Sequence, residues 1–177
     1  MNALKLLFYF ALCSLSILFG ACTSMKFTSI WKDEAYQGRA QKILVINAFP
    51  NPTSRKIFED EFVKALKDRG VNAVESSSVI PDTILSDNDA IAAQAKAVGA
   101  DTVLINRPLN TRLGKAVGTD YMDVYIITQT DIYEMKSNKL VFSASAEIQR
   151  REDEPYAKQI QSYVNQLVNA LSKQGFF

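Results

Sequence analysis

Histidine is absent from the 177 residues, and cysteine occurs only at Cys13 and Cys22. The chain after Cys22 therefore has no internal disulfide, no Cys/His zinc site, no His-containing triad and no thiol redox pair. An excess of one charge is lacking as well, with 20 basic side chains against 19 acidic ones. Nucleic-acid binding draws on a basic excess gathered on one face, so this balance argues against it. A bilayer span takes about 20 apolar residues, and the apolar run from Leu6 to Phe19 falls short of that.

That run has the layout of a secretory signal: Lys5 supplies one positive side chain ahead of it, and the small pair Gly20-Ala21 follows it. The ending Leu18-Phe19-Gly20-Ala21-Cys22 resembles the lipobox of bacterial lipoproteins. There, a branched apolar residue and two small residues precede the cysteine that receives diacylglycerol and becomes the first residue after cleavage. Phe19 departs from the pattern, in which Leu is usual, and Leu18 stands one place earlier. The plainer alternative is an ordinary signal peptide with a chance cysteine near its end.

Under the lipobox reading, residues 1–21 leave with Cys13, and the 156 residues that remain of 177 carry zero net side-chain charge, since only Lys5 goes with the signal. Cys22 is then the lipidation site, with palmitate-type chains. Each buried CH₂ contributes about 0.8 kcal/mol, and several chains on one residue make desorption slow. Thr23 is not the Asp that retains a lipoprotein at the inner membrane, so the resemblance implies the outer membrane, facing the periplasm. Residues 22–41 read as the lipidated Cys and a polar tether, holding a single globular domain, 42–177, tens of ångströms from the bilayer. Trp31 and Tyr36 within that tether are too apolar for a purely solvated linker, and either pack on the domain or sit near the lipid interface.

From Lys42 the pattern alternates. Ile43 to Ile46 is a continuous apolar run of the kind covered on both faces in a parallel sheet. Asn51 and Pro52 begin a helix that carries Phe58, Phe62, Ala65 and Leu66 at helical spacing and stops at Gly70. Val71 to Ser76 reads as an edge strand. A second helix is capped by Ser86 with Asp89 and lined by Ile91, Ala92, Ala95 and Val98; a strand follows over Ala100 to Ile105.

Tyr121 to Glu134 and Leu140 to Gln149 alternate with period two and predict a long antiparallel hairpin. Setting Ile132 opposite Phe142 on one face requires an odd loop, best met by Lys136-Ser137-Asn138 with positive φ at Asn138. Tyr156, Ile160, Tyr163, Val164, Leu167 and Leu171 predict a closing amphipathic helix. The fold class is α/β (α+β mixed): a β-α-β-α-β unit, then the hairpin, then a C-terminal helix packed on a mixed sheet.

No residue set has catalytic or metal-binding spacing, so no catalytic residue, metal ligand or cofactor is expected. Arg112 to Asp120 joins two cations to glycines but lacks the P-loop spacing, and reads best as a mobile loop between strands. The acids after Arg55 and Lys56 are what the helix macrodipole favours without any catalysis. Asp123 and Asp131, eight residues apart on one strand, are roughly 27 Å apart and cannot act as a carboxylate pair. Tyr121, Tyr125 and Tyr133 share the more polar face of their strand, either packed beneath a neighbouring segment or open to a partner. The candidate contact residues are therefore Arg112, Gly114, Lys115, Gly118, Tyr121, Tyr125 and Tyr133.

Thr28 to Asp33, Lys42 to Ile46, Arg55 to Asp60, Lys139 to Ala144 and Ala170 to Gly175 together resemble a family of small, largely uncharacterised bacterial lipoproteins. The element order is similar to the amino-terminal domain of the Tol-system propeller protein and the periplasmic domain of the curli-secretion lipoprotein. The resemblance implies a non-enzymatic, lipid-anchored protein in envelope assembly, bound to an envelope protein or to copies of itself. The alternative is a small-ligand or lipid carrier using the sheet face of the hairpin.

Overall fold

The computed structural model describes residues 25–85, 87–115, 122–150 and 155–177. Cys22, Gly118 and Tyr121, and the Ser86 cap, lie outside the described residues.

Six strands form one mixed sheet, with three helices packed on it. In chain order the elements are β1 (Met25–Lys32), β2 (Lys42–Asn47), α1 (Pro52–Lys67), β3 (Asn72–Glu75), α2 (Asn88–Ala97), β4 (Thr102–Lys115), β5 (Met122–Glu134), β6 (Lys139–Arg150) and α3 (Tyr156–Lys173). The sheet order is β1-β6-β5-β4-β2-β3. β3, β2 and β4 run parallel, as crossover helices require; β4, β5, β6 and β1 run antiparallel.

Helix boundaries follow local chemistry. The Asn51 side chain accepts from the Ser54 N–H at 2.9 Å, and Pro52 opens α1 where a missing N–H costs nothing. α2 is capped by Asp87, which accepts from the N–H groups of Asp89 and Ala90, in place of the expected Ser86 box. α1 and α3 bury Phe58, Phe62, Leu66, Val164 and Leu167 against Val45, Leu104, Ile132 and Phe142 on one face. α2 covers only part of the other, where Ile91 and Ala95 meet Leu44, Ile46, Val103 and Ile105.

Three expectations change. The polar lead-in contains β1, which pairs with β6 from Met25↔Ile148 to Lys32↔Phe142, so strand structure begins three positions after Cys22. A bulge between Phe27 and Ser29 interrupts its alternation, which hides the period from a sequence scan. Tyr36 in the same stretch is buried and stacks on Phe176 with ring centroids 5.3 Å apart, whereas Trp31 stays half exposed.

The strand predicted to end at Ile105 continues to Lys115, so Arg112, Gly114 and Lys115 lie in β4 rather than in a loop. Pairing with β5 sustains this polar half, and a bulge at Pro108/Asn110 shifts its alternation. The hairpin keeps the Ile132↔Phe142 pair and positive φ at Asn138 (53°). Its turn, however, has four residues, since Glu134 pairs with Lys139. The odd residue is Val141, bulged between Leu140 and Phe142 and buried where Leu140 was expected.

Candidate functional site

Beyond α2, no helix among the described residues covers the second face of β4, β5, β6 and β1. Register places Arg107, Gln129 and Ser145 in one row of it, Asn110, Ile127, Glu147 and Lys26 in the next, then Arg112, Tyr125 and Gln149, and finally Gly114 with Asp123.

Charges on this face are matched locally. Arg107 Nη1 lies 3.8 Å from Asp131 Oδ2, and Asp131 also accepts from Gln129 Nε2 and Ser143 Oγ at 2.9 and 2.8 Å. Arg112 Nη2 donates to Glu147 at 2.9 Å, and Gln149 donates to Asp123. Such pairing holds these acids in fixed geometry. Asp123 and Asp131 occur in separate clusters, as their spacing predicts.

Arg112, Gly114 and Tyr125 come together. The Arg112 guanidinium stands over the Tyr125 ring, 4.0 Å from its centroid. A Cβ on Gly114 would meet Tyr125 Cε2 at 2.7 Å, so the bare backbone is what lets the ring lie flat. Lys115 is exposed at the end of β4 and pairs with Met122. Tyr133, eight residues from Tyr125 and thus about 27 Å away, packs on the core under α2. Tyr125 and Tyr133 share a face of β5 but are too far apart to form a continuous stripe.

A cleft of ≈ 270 Å³ opens between α2 and the sheet, lined by Ile91, Val103, Ile105 and Tyr133 with Arg107 at the rim. On the helix-covered face, a cavity of ≈ 40 Å³ beside Phe58, Ile126 and Tyr156 holds no more than a few waters. Among the described residues no group of His, Cys, Asp or Glu could hold a metal ion, and no helix is long and apolar enough to cross a membrane.

Two buried polar networks were not foreseen from the sequence. In the first, Arg55 Nε bonds Glu59 at 3.1 Å, and its Nη2 reaches Ser76 Oγ and the Ile80 carbonyl. Glu59 also accepts from Asn47 N–H, Ser76 Oγ and Ser77 N–H. In the second, Asn106 donates to Asn47 at 3.0 Å and accepts from Thr130 and Tyr163, and the Tyr163 hydroxyl also meets Thr128. Burial pushes the Tyr163 phenol above its ordinary pKa, and its bonds to Thr128 and Thr130 oppose that rise. The first ties the end of β2 and the segment after β3 to α1, and the second ties β2, β4 and β5 to α3. Only the i, i+4 spacing of Arg55 and Glu59 hinted at the first.

No protein-family model matches the chain, and no curated protein matches it significantly. Solved structures share its fold. The PelC dodecamer from Paraburkholderia phytofirmans is similar at a TM-score of 0.54 and 14% identity, over 84% of this chain and 96% of that one. A variant of that dodecamer gives 0.53 and 13%, over 84% and 98%. The lipoprotein GNA1162 from Neisseria meningitidis gives 0.49 and 15%, over 75% and 98%. At these identities the likeness to PelC is one of fold.

Proposed function

We propose that this protein is a lipid-anchored, non-enzymatic component of the cell envelope, held at the outer membrane by Cys22 and facing the periplasm. It works through protein contacts, with copies of itself or with another envelope protein. The observation that carries this reading is the sheet face from Arg107 to Gln149, which no described helix covers, where Arg107 and Arg112 are paired with acids, Tyr125 is half-buried under Arg112 and Trp31 is exposed. A pre-organised surface of matched polar groups suits recognition of another protein. The fold shared with a PelC dodecamer supports self-assembly as one form of that contact. The likeness in element order to the Tol-system and curli-secretion domains rests on the sequence and points the same way.

The carrier alternative draws on the ≈ 270 Å³ cleft, but this space is open and below the ≈ 300–1,000 Å³ usual for ligand sites. A photo-crosslinking residue placed in cells at Tyr125 or Ser145, and at Lys67 on α1 as control, separates the readings. Self-adducts or one envelope protein captured from the sheet positions alone are expected. Equal labelling from Lys67, or no protein adduct from either sheet position, would sink the contact reading.

A further inference from the structure

The apolar side of the helix-covered face does not end where the helices end. Along β5 on that face, Ile132, Thr130 and Thr128 are buried, Ile126 and Val124 are half-buried, and Met122 is 49% exposed. Across from Val124, Leu113 of β4 is 66% exposed, the highest exposure among the large apolar side chains of the described residues. The end of the β4–β5 ribbon therefore carries two exposed apolar side chains, Leu113 and Met122, beside the half-buried Val124. Lys115 pairs with Met122 there, a long side chain whose stem can lie along apolar surface while its ammonium reaches water or headgroups.

The position of the anchor says what this surface meets. β1 runs in the same direction as β5, and its first residue, Met25, is level with Ile148, Ile126 and Thr111. β1 thus starts at the ribbon end of the sheet. Three residue steps separate Met25 from Cys22, a reach of at most about 11 Å. From Ile126 to Met122 the ribbon extends four residues further the same way, about 14 Å. The protruding end is longer than the leash that would hold it off the bilayer.

We propose that the β4–β5 ribbon end is a membrane foot, with Leu113 and Met122 seated in the lipid interface and the domain standing on the bilayer end-on. This rests on acylation of Cys22, as proposed above. It replaces the long tether that the polar lead-in suggested, and it directs the open sheet face sideways, along the membrane, toward neighbouring proteins.

The test uses the full acylated chain in vesicles of phosphatidylethanolamine and phosphatidylglycerol containing doxyl-labelled lipid. With Cys22 acylated and Cys13 removed with the signal, Leu113→Cys, Met122→Cys and, at the far end of the domain, Lys96→Cys each supply one thiol for an environment-sensitive dye. Dye at 113 and 122 is expected to shift to the blue and lose intensity to the doxyl groups, and dye at 96 to do neither. Aqueous spectra at all three positions, with acyl chains found on the Cys22 peptide by mass spectrometry, would overturn the foot and leave the anchor standing. A blue shift at 113 without lipid quenching would overturn it in favour of contact with another protein copy. Absence of acyl chains on Cys22 would remove the anchor, and the foot with it.

Discussion

Arg55 and Glu59, one turn apart on α1, form an ion pair at 3.1 Å with both side chains buried. One residue along the same helix, about 100° round its axis, Lys56 and Asp60 form an ion pair at 2.8 Å in solvent. The two pairs have the same spacing and similar lengths but different surroundings, so they isolate the effect of burial. Arg55→Met leaves the Glu59 carboxylate in the interior without its cation, and the expected loss is about 3–5 kcal/mol. Lys56→Met removes an exposed, solvent-screened pair and should cost far less. Urea unfolding of the two variants checks this, and equal losses would contradict the assigned role of the buried network.

Tyr163 gives the protein an alkaline limit. Its folded pKa is raised by burial above the unfolded value near 10, so above that pH the unfolded chain sheds a proton that the folded chain retains. The unfolded state then binds fewer protons, and stability falls as pH rises. The contribution is intact below pH about 10 and is lost through the higher folded pKa. Tyr163→Phe should cost about 1–3 kcal/mol at neutral pH, because Asn106, Thr128 and Thr130 lose a partner. It should also flatten the alkaline loss relative to the parent protein. Denaturant titrations at neutral and alkaline pH measure both, and parallel alkaline slopes would refute the assignment.

Gly114 is tied to Tyr125 by a clash that exists only in substitution. Gly114→Ala should displace the ring from the Arg112 guanidinium, lowering stability by about 1 kcal/mol and changing the near-ultraviolet circular dichroism. In a Tyr125→Ala background the same change should be close to neutral, since the atom at 2.7 Å is gone. Additive effects of the two substitutions would show that the glycine serves something other than the ring.

The parts of the fold that were legible in sequence are those whose period is uninterrupted. Ile43 to Ile46, the α1 and α3 apolar positions and the Ile132↔Phe142 pair all follow from spacing. Bulges account for most of the rest. Single extra residues in β1, β4 and β6 shift the alternation by one, so β1 looked like a tether and the second half of β4 like a loop. In the hairpin the parity rule held only because the bulge at Val141 supplied the odd residue assigned to the turn. At the candidate surface, the grouping of Arg112, Gly114 and Tyr125 depends on cross-strand register, which sequence distance does not carry. Glu59, read in the sequence as an acid favoured by the helix macrodipole, is instead a buried partner of Arg55, because only the tertiary fold supplies Ser76 and Asn47 beside them.

The chain end closes the core, and its contribution is separable. Gly175 takes φ of 75°, which turns the chain after α3 so that the Phe176 N–H reaches the Leu171 carbonyl at 3.2 Å. Phe176 is then buried, stacked on Tyr36 and edge-on to Phe142 at 5.4 Å, and its carbonyl accepts from the Ala40 N–H. This pins the segment between β1 and β2, where regular pairing is absent. Phe176→Ala should cost about 3–5 kcal/mol as a large buried aromatic. Gly175→Ala should cost about 1–2 kcal/mol through the left-handed backbone alone. Phe176→Ala should also speed amide exchange at Ala40 and Tyr36 more than in α2, which touches neither. Uniform acceleration across the domain would mean that Phe176 supports global stability without holding that segment in particular.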